Sequence, residues 1–359
     1  MKKILLITEN LGSGGAERQI CGLAVMLTKL GYLCRLVTYC DNQFYEPYLR
    51  QNDVDYERIS NLSNKFTRVF RLAKYVRKYK PDIVITYLVS ANIYMCLATL
   101  LCNTKLIVSD RNNNLSISFK DRIRFFLYRR SDIIVPNSNS QADFIRKNFP
   151  FLKEKVCPII NFVDTNRFSP SLTSSENIPF RIVTVARYTH QKNVLRFLDV
   201  VKKAKIAKLN VRFDWYGNIE SYTKYFASVV KKYDRLDIAD YLTLHDSCDN
   251  IEEVYKDADA CCLPSLYEGY PNVVVEAMAC GLPVLCANRF ENPYIVEDGI
   301  NGFLFDPENI DDIFLTIVKL LSLSENERAQ MKRKNRKITL VRNSEEKFIQ
   351  SYVRLIECL

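Results

Sequence analysis

The sequence predicts an α/β protein made of two doubly wound parallel sheets. Short apolar, β-rich runs alternate with helical patterns along almost all of its 359 residues, the arrangement of parallel strands covered by helices on both faces. That length exceeds what one hydrophobic core usually organises. A polar, proline-flanked stretch, Ser169–Pro179, interrupts the alternation near the middle. Charge breaks at the same place. Residues 1–180 carry 26 Lys and Arg against 15 Asp and Glu, whereas 181–359 carry 25 against 26. The whole excess of positive charge therefore sits in the first half, and it points to an anionic partner there or to a basic solvated face.

The first series of elements begins with strand Ile4–Thr8. Met1-Lys2-Lys3 precedes only four apolar residues, too few for the core of a signal peptide, so a cytoplasmic N-terminus is expected. A helix over Ala16–Leu30 follows, closed by Gly31. Strands are expected at Cys34–Tyr39, Ile83–Leu88, Leu106–Ser109 and Ile133–Pro136. The segment Ile83–Thr104 has no charge and is long enough to cross a bilayer. Its interior Thr86, Tyr87, Ser90, Asn92 and Thr99 favour a strand, a turn capped by Ser90, and a helix over Asn92–Leu101. The second series places strands at Arg181–Ala186, Val211–Tyr216, Tyr241–Leu244, Ala260–Leu263 and Val284–Ala287. Helices over Val194–Ile206 and Val273–Ala279 fall between them.

Composition removes several classes. Ten Gly and twelve Pro exclude collagen-like and Pro-rich chains. The 12 cysteines are scattered, often within apolar runs, and no two form a C-x-x-C pair. That usage fits free thiols in a reducing compartment. With two histidines in the chain, a zinc site is not expected.

Ligands of doubly wound sheets bind beyond the carboxyl ends of the strands, so the loops after strands hold the candidate residues. Leu11-Gly12-Ser13-Gly14-Gly15-Ala16-Glu17-Arg18 follows the first strand and opens a helix, where glycines let a backbone approach an anion. It lacks the G-x-G-x-x-G spacing of a dinucleotide site, which counts against a dehydrogenase. Arg187 and Lys192 flank the loop after Arg181–Ala186, at the start of a helix, and suit a diphosphate; basic loop residues are otherwise simply solvated. His190 in that loop reads as a bystander. The segment Pro264–Pro283 reads strand, loop, helix, cap, strand. Asn272 is placed to cap the helix, Glu268 lies in the loop and Glu276 lies within the helix, so both carboxylates are expected to reach one ligand bearing hydroxyls and phosphate.

The spacing Glu268-x7-Glu276 within S-x-x-E-G-x-P-N-x-x-x-E-A-M-A-x-G-x-P-V resembles the signature of glycosyltransferase family 4, retaining enzymes of the GT-B fold. The Gly14-Gly15-Ala16-Glu17-Arg18 turn, the Arg187 and Lys192 pair, and Asn301-Gly302-Phe303-Leu304 are similar to the family's in order and spacing. The resemblance implies two Rossmann-like domains facing a cleft. Residues 1–170 would form a basic acceptor-side domain, 171–340 a nucleotide-sugar donor domain, and 341–359 a helix returning toward the first. It implies that Glu276 binds ribose hydroxyls, that Glu268 contacts the transferred sugar, and that Arg187 and Lys192 neutralise the departing diphosphate. Gly14, Gly15, Tyr270, Asn272 and Val273 would complete the donor site. No cofactor and no metal are implied; Asp53-x-Asp55 falls in a polar turn and Asp257-x-Asp259 in a helix.

The sequence departs from the family at one point. Many members carry a histidine in the N-terminal domain, whereas both histidines here lie beyond residue 189. Asp110 and Arg111, after strand Leu106–Ser109, occupy the corresponding position as acceptor-side candidates. The function implied is transfer of a sugar from a nucleoside diphosphate donor, expected to be a UDP-sugar, to a hydroxyl of a lipid-linked glycan in surface polysaccharide assembly. A non-catalytic nucleotide-sugar binding protein on the same fold is the alternative.

Two basic stretches are left over. Lys65–Lys80 carries seven positive charges and no acid, with a helical apolar stripe at 66, 69, 70, 73 and 76, and Phe119–Arg130 repeats the aromatic-basic pattern. They read as helices with solvated basic faces or as a patch for an anionic membrane, placing the protein peripherally on the inner face of the cell membrane. Nucleic acid is not an expected partner.

Overall fold

A computed structural model describes residues 2–59, 65–112, 114, 116–171, 178–219 and 224–359. The chain divides into two compact units, residues 1–162 with 346–359 and residues 163–345. Most of the expected linker, residues 172–177, lies outside the described residues. The change of unit comes earlier, at Phe162/Val163, because the chain from Val163 onward bonds into the second unit. Val163 N–H donates to the Asn343 carbonyl at 2.8 Å, and Arg336 donates to the carbonyls of Thr165 and Phe168.

The first unit runs β1 (Lys3–Ile7), α1 (Gly15–Lys29), β2 (Leu33–Thr38), α2 (Glu46–Gln51), β3 (Asp55–Arg58), α3 (Lys65–Tyr79), β4 (Ile83–Tyr87), α4 (Val89–Ala98), β5 (Lys105–Asp110), α5 (Phe119–Tyr128), β6 (Ile133–Pro136) and α6 (Asn139–Asn148), then a 3-10 turn (Pro150–Lys155). Its strands lie in the order β3-β2-β1-β4-β5-β6, all pairs parallel. In the second unit, β7 (Phe180–Val185), α7 (Val194–Ile206), β8 (Val211–Tyr216), α8 (Lys224–Leu236), β9 (Leu242–His245), α9 (Ile251–Lys256), β10 (Ala260–Leu263), α10 (Asn272–Ala279), β11 (Val284–Ala287), α11 (Asn292–Ile295), β12 (Gly302–Phe305), α12 (Ile310–Ser322) and α13 (Glu325–Arg342) follow. Helix α14 (Glu345–Cys358) then gives its residues from 346 onward to the first unit. The second sheet is ordered β12-β11-β10-β7-β8-β9 and is likewise parallel. Strand order thus reverses between β1 and β4 in one sheet and between β7 and β10 in the other, the points where such sheets open a crevice.

Central strands are buried along their whole length, as in the Ile83–Tyr87, Ala260–Leu263 and Val284–Ala287 runs, because helices cover both faces. In the first unit, one core lies under α3, α4, α5 and α6 and a second under α1 and α14. Gly281 and Gly302 are among the glycines that geometry requires. Gly281, after α10, has φ +82°, and a Cβ on Gly302 would lie 2.3 Å from the Val284 carbonyl across the sheet.

Four local expectations need correction. Strand β3 has no counterpart in the sequence reading: Asp55-Tyr56-Glu57-Arg58 is a charged sheet edge, held where Arg35 bridges Asp55 at 2.7 Å and Glu57 at 3.1 Å. Ser90 does not cap α4. Leu88 takes that position at φ +72°, and the Ser90 hydroxyl donates to Glu9 at 2.9 Å. Asp257-x-Asp259 is not helical: Asp257 closes α9, and Asp259, just before β10, accepts the Arg181 N–H at 2.7 Å. Along α3 the buried stripe is Leu72, Ala73 and Val76, while Phe70 is 66% exposed.

No helix among the described residues is long and apolar enough to cross a membrane. Ile83–Thr104 is β4, α4 and the turn after it. All 12 cysteines are free. Burial pushes the thiols of Cys96 and Cys280 up to about 12, so these two are packing groups and not nucleophiles.

Candidate active site

The second sheet's switch point is flanked by the loops that follow β7 and β10, and the two loops are sewn together. Asn193 sits at φ +62°, 5% exposed, and its amide donates to the carbonyls of Pro264 at 3.1 Å and Pro307 at 2.7 Å. Leu266 N–H donates to the Gln191 carbonyl, and the Gln191 amide donates to the Tyr267 carbonyl, each at 2.8 Å. These bonds fix the registry in which Lys192 Nζ meets Glu268 Oε1 at 2.5 Å. The two side chains are 13% and 11% exposed, so the charge-assisted bond is shielded from water.

Arg187 follows the same strand and is exposed, with no ion pair among the described residues. The loop thereby presents one cation held against a carboxylate and a second in solvent. His190 is also exposed and stands edge-on to Tyr225. His245 lies elsewhere in this unit, bonded to Asp214 at 2.6 Å.

Helix α10 begins differently from the expectation. Asn272 is its first helical residue, Pro271 holds the capping position, and no side chain caps the end. Asn272 and Val273 at the start of α10 are both half-buried, where the helix end carries partial positive charge. Glu276 lies in the next turn, 4% exposed. Its charge adds to burial in raising the neighbouring thiols of Cys261 and Cys280.

Tyr270 turns out to be an anchor of the fold. Its ring is 7% exposed, and its hydroxyl accepts from the Asn343 amide at 2.5 Å. The hydroxyl is thereby tied to the end of α13.

In the first unit, Gly14 and Gly15 lie at the start of α1, with Gly14 exposed and extended and without a side-chain cap. They follow β1, at that sheet's own switch point. Asp110 and Arg111 correct the expectation of an open acceptor loop. Asp110 is fully buried; Gln141 donates to it at 2.9 Å, and Arg124 lies 3.6 Å away. Arg111 is 9% exposed, donates to Asn161 and Tyr352, and lies over the Tyr87 ring at 4.0 Å. Both serve the interior of the unit.

Sequence reasoning missed Asn193 and Gln191. The signal available for Asn193 was its type, since asparagine tolerates the left-handed region better than most residues. Its two carbonyl partners lie 71 and 114 residues away and carry no local trace.

Comparison with known proteins agrees with this architecture. Residues 13–167 match the family model described as Glycosyltransferase Family 4, and residues 167–338 match that described as Glycosyl transferases group 1. The chain belongs to glycosyltransferase family 4. Among curated relatives of this glycosyltransferase is the GalNAc-alpha-(1->4)-GalNAc-alpha-(1->3)-diNAcBac-PP-undecaprenol alpha-1,4-N-acetyl-D-galactosaminyltransferase of Campylobacter jejuni. The two are 26% identical over 289 residues, covering 77% of each chain. The UDP-Gal:alpha-D-GlcNAc-diphosphoundecaprenol alpha-1,3-galactosyltransferase of Escherichia coli is 24% identical, over 79% of this chain and 77% of that one. Among solved structures, Anabaena HepE in complex with UDP-glucose superposes with a TM-score of 0.86 at 18% identity, covering 100% of both chains. That likeness carries the GT-B fold: two Rossmann-like domains, each with one parallel sheet.

Proposed function

We propose that this glycosyltransferase moves a sugar, with retention at the anomeric carbon, from a UDP-sugar to a hydroxyl of a lipid-linked glycan in surface polysaccharide assembly. The observation that carries the proposal is the pair of sewn loops at the second unit's switch point, which hold Lys192 against Glu268, with Arg187 exposed at the head of the first loop. Lys192 and Arg187 neutralise the diphosphate as the bond from the anomeric carbon to the donor phosphate breaks, the point at which negative charge grows. The start of α10, at Asn272 and Val273, supplies further positive potential. Glu268 exchanges its bond with Lys192 for hydroxyls of the transferred sugar, and Glu276 holds the ribose. In the first unit, Gly14 and Gly15 let a backbone approach an anion. Charge neutralisation by these groups needs no metal.

The C. jejuni and E. coli relatives are named for undecaprenyl-linked acceptors, which supports the acceptor class, and HepE holds UDP-glucose, which supports the donor. A lipid-linked acceptor also gives the basic first domain its place, peripherally on the anionic inner face of the cell membrane, while residues 163–345 form the donor domain.

A panel of nucleoside diphosphate sugars scored by thermal shift, then by turnover with a lipid-linked acceptor, tests the reading. A true donor at about 100 times its Kd adds roughly 2.7 kcal/mol of stability. Binding of a UDP-sugar without transfer to any acceptor would leave a non-catalytic binding protein instead.

A further inference from the structure

Helix α5 presents an outer face that the core does not use. Arg124, Phe125 and Tyr128 point inward and are buried. The helical period therefore turns Phe119, Ile123 and Phe126 outward, and they are 77%, 47% and 58% exposed. Phe151, in the 3-10 turn after α6, is 54% exposed and belongs to the same patch. The Arg129 guanidinium stands 5.3 Å from the Phe126 ring and 5.7 Å from the Phe151 ring and links them. Scattered exposed apolar residues are ordinary, but four large ones gathered on one face mark a contact surface.

The exposed charges of α5 and of the two arginines that follow it have one sign, while the turn that carries Phe151 adds Lys153 and Glu154. Lys120, Arg122, Arg129 and Arg130 are exposed. The acid within α5, Asp121, is taken up in the capping box with Ser118 and by Arg124 and Asn114. Helix α3, which packs on α4 as α4 packs on α5, adds exposed Arg71, Lys74 and Lys78 to the same layer of helices.

We infer that the α5 face docks on an anionic lipid bilayer by inserting Phe119, Ile123, Phe126 and Phe151 among the acyl chains, with the cations of α3 supplying electrostatic attraction. A bilayer offers apolar depth beneath negative headgroups, the two properties this face matches. A second copy of the chain across a two-fold axis would set four cations against four cations. The inference deepens the membrane reading above and assigns insertion to a helix distinct from the more basic one.

The test is flotation of the full chain with vesicles of phosphatidylglycerol and phosphatidylethanolamine, and with neutral phosphatidylcholine vesicles. Replacing Phe119, Phe126 and Phe151 together by Ser is expected to weaken partitioning at least ~100-fold, since each loses an inserted ring. Thermal stability should hold, because the three are exposed. Arg71→Gln, Lys74→Gln and Lys78→Gln together should weaken binding only at low salt. The indole introduced by Phe126→Trp should shift to shorter wavelength on vesicles and be quenched by brominated acyl chains, against a constant signal from buried Trp215. Equal flotation of the Phe variant and the parent, or no quenching, overturns insertion. A dimer that the Phe variant dissociates also overturns it, in favour of a self-contact. Flotation without sugar transfer leaves the inference standing and removes the transfer reading; transfer to a soluble acceptor without flotation does the reverse.

Discussion

Lys192 and Glu268, 76 residues apart in sequence, are held 2.5 Å from each other by two loops that share three further hydrogen bonds. Each neutralises the other. The proposal gives each a new partner when a donor binds, phosphate for the lysine and sugar hydroxyls for the glutamate.

Removing either cation should therefore act on chemistry. Arg187→Ala and Lys192→Ala are each expected to lower kcat/KM by at least ~100-fold, the scale of losing one group that stabilises developing charge. In a double-mutant cycle with Glu268→Gln, Lys192 should show strong coupling and Arg187 little, because only Lys192 touches the carboxylate. Normal turnover in both single variants would falsify the assignment.

The two glutamates should separate in binding. Calorimetry with free UDP is expected to show about tenfold or greater weakening in Glu276→Ala, the loss of a charged hydrogen bond to ribose, and little change in Glu268→Ala. Transfer should fail in both. Matching UDP affinities in the two variants would show the roles wrongly divided.

Chelation gives a third check. Turnover should persist in EDTA if, as proposed, Arg187, Lys192 and the start of α10 carry the neutralisation. Loss of activity that Mg²⁺ or Mn²⁺ restores would refute that division of labour.

Asn193 separates backbone from side chain. Asn193→Gly keeps the φ of +62° but loses both carbonyl contacts, and is expected to cost about 1–3 kcal/mol in urea unfolding. Asn193→Ala should cost roughly 1–2 kcal/mol more, the penalty of the left-handed conformation. Equal stability of the two variants would show that the backbone contributes nothing.

The buried pair in the first unit carries a pH dependence. Burial raises the Asp110 carboxyl above its ordinary value, against the pull of Arg124. A raised carboxyl means the folded state holds the extra proton, so its contribution to stability falls as pH rises through that window. Arg124→Met strips Asp110 of its counter-charge and should cost about 3 kcal/mol at pH 7. The deficit should narrow as pH falls and Asp110 takes a proton. An unchanged deficit would assign the loss to packing.

Elements with a buried, apolar signature were legible in the sequence, and their boundaries fall within a residue or two: Ile133–Pro136, Val211–Tyr216, Ala260–Leu263, Val284–Ala287 and the helix Val194–Ile206. The order of Glu268, Glu276, Arg187 and Lys192 was legible too, because each lies within a few residues of a strand or helix end. What escaped depends on partners distant in sequence. Strand β3 exists because Arg35 and its neighbours pair with it, and four charged or polar residues announce no strand. Asp110 reads as a loop acid until Arg124 and Gln141 close over it. Nothing in the sequence around Tyr270 announces that Asn343 bonds its hydroxyl.

Helix α14 has a consequence for biosynthesis. Its Phe348, Tyr352 and Ile356 are at most 3% exposed in the core of the first unit, and the Tyr352 hydroxyl lies 2.7 Å from that of Tyr87. These residues leave the ribosome only after all of residues 163–345. The second unit is therefore complete while the first still exposes the apolar bed of its final helix. The nascent chain carries that bed through more than a hundred residues of translation, and it is the stretch on which a chaperone would act.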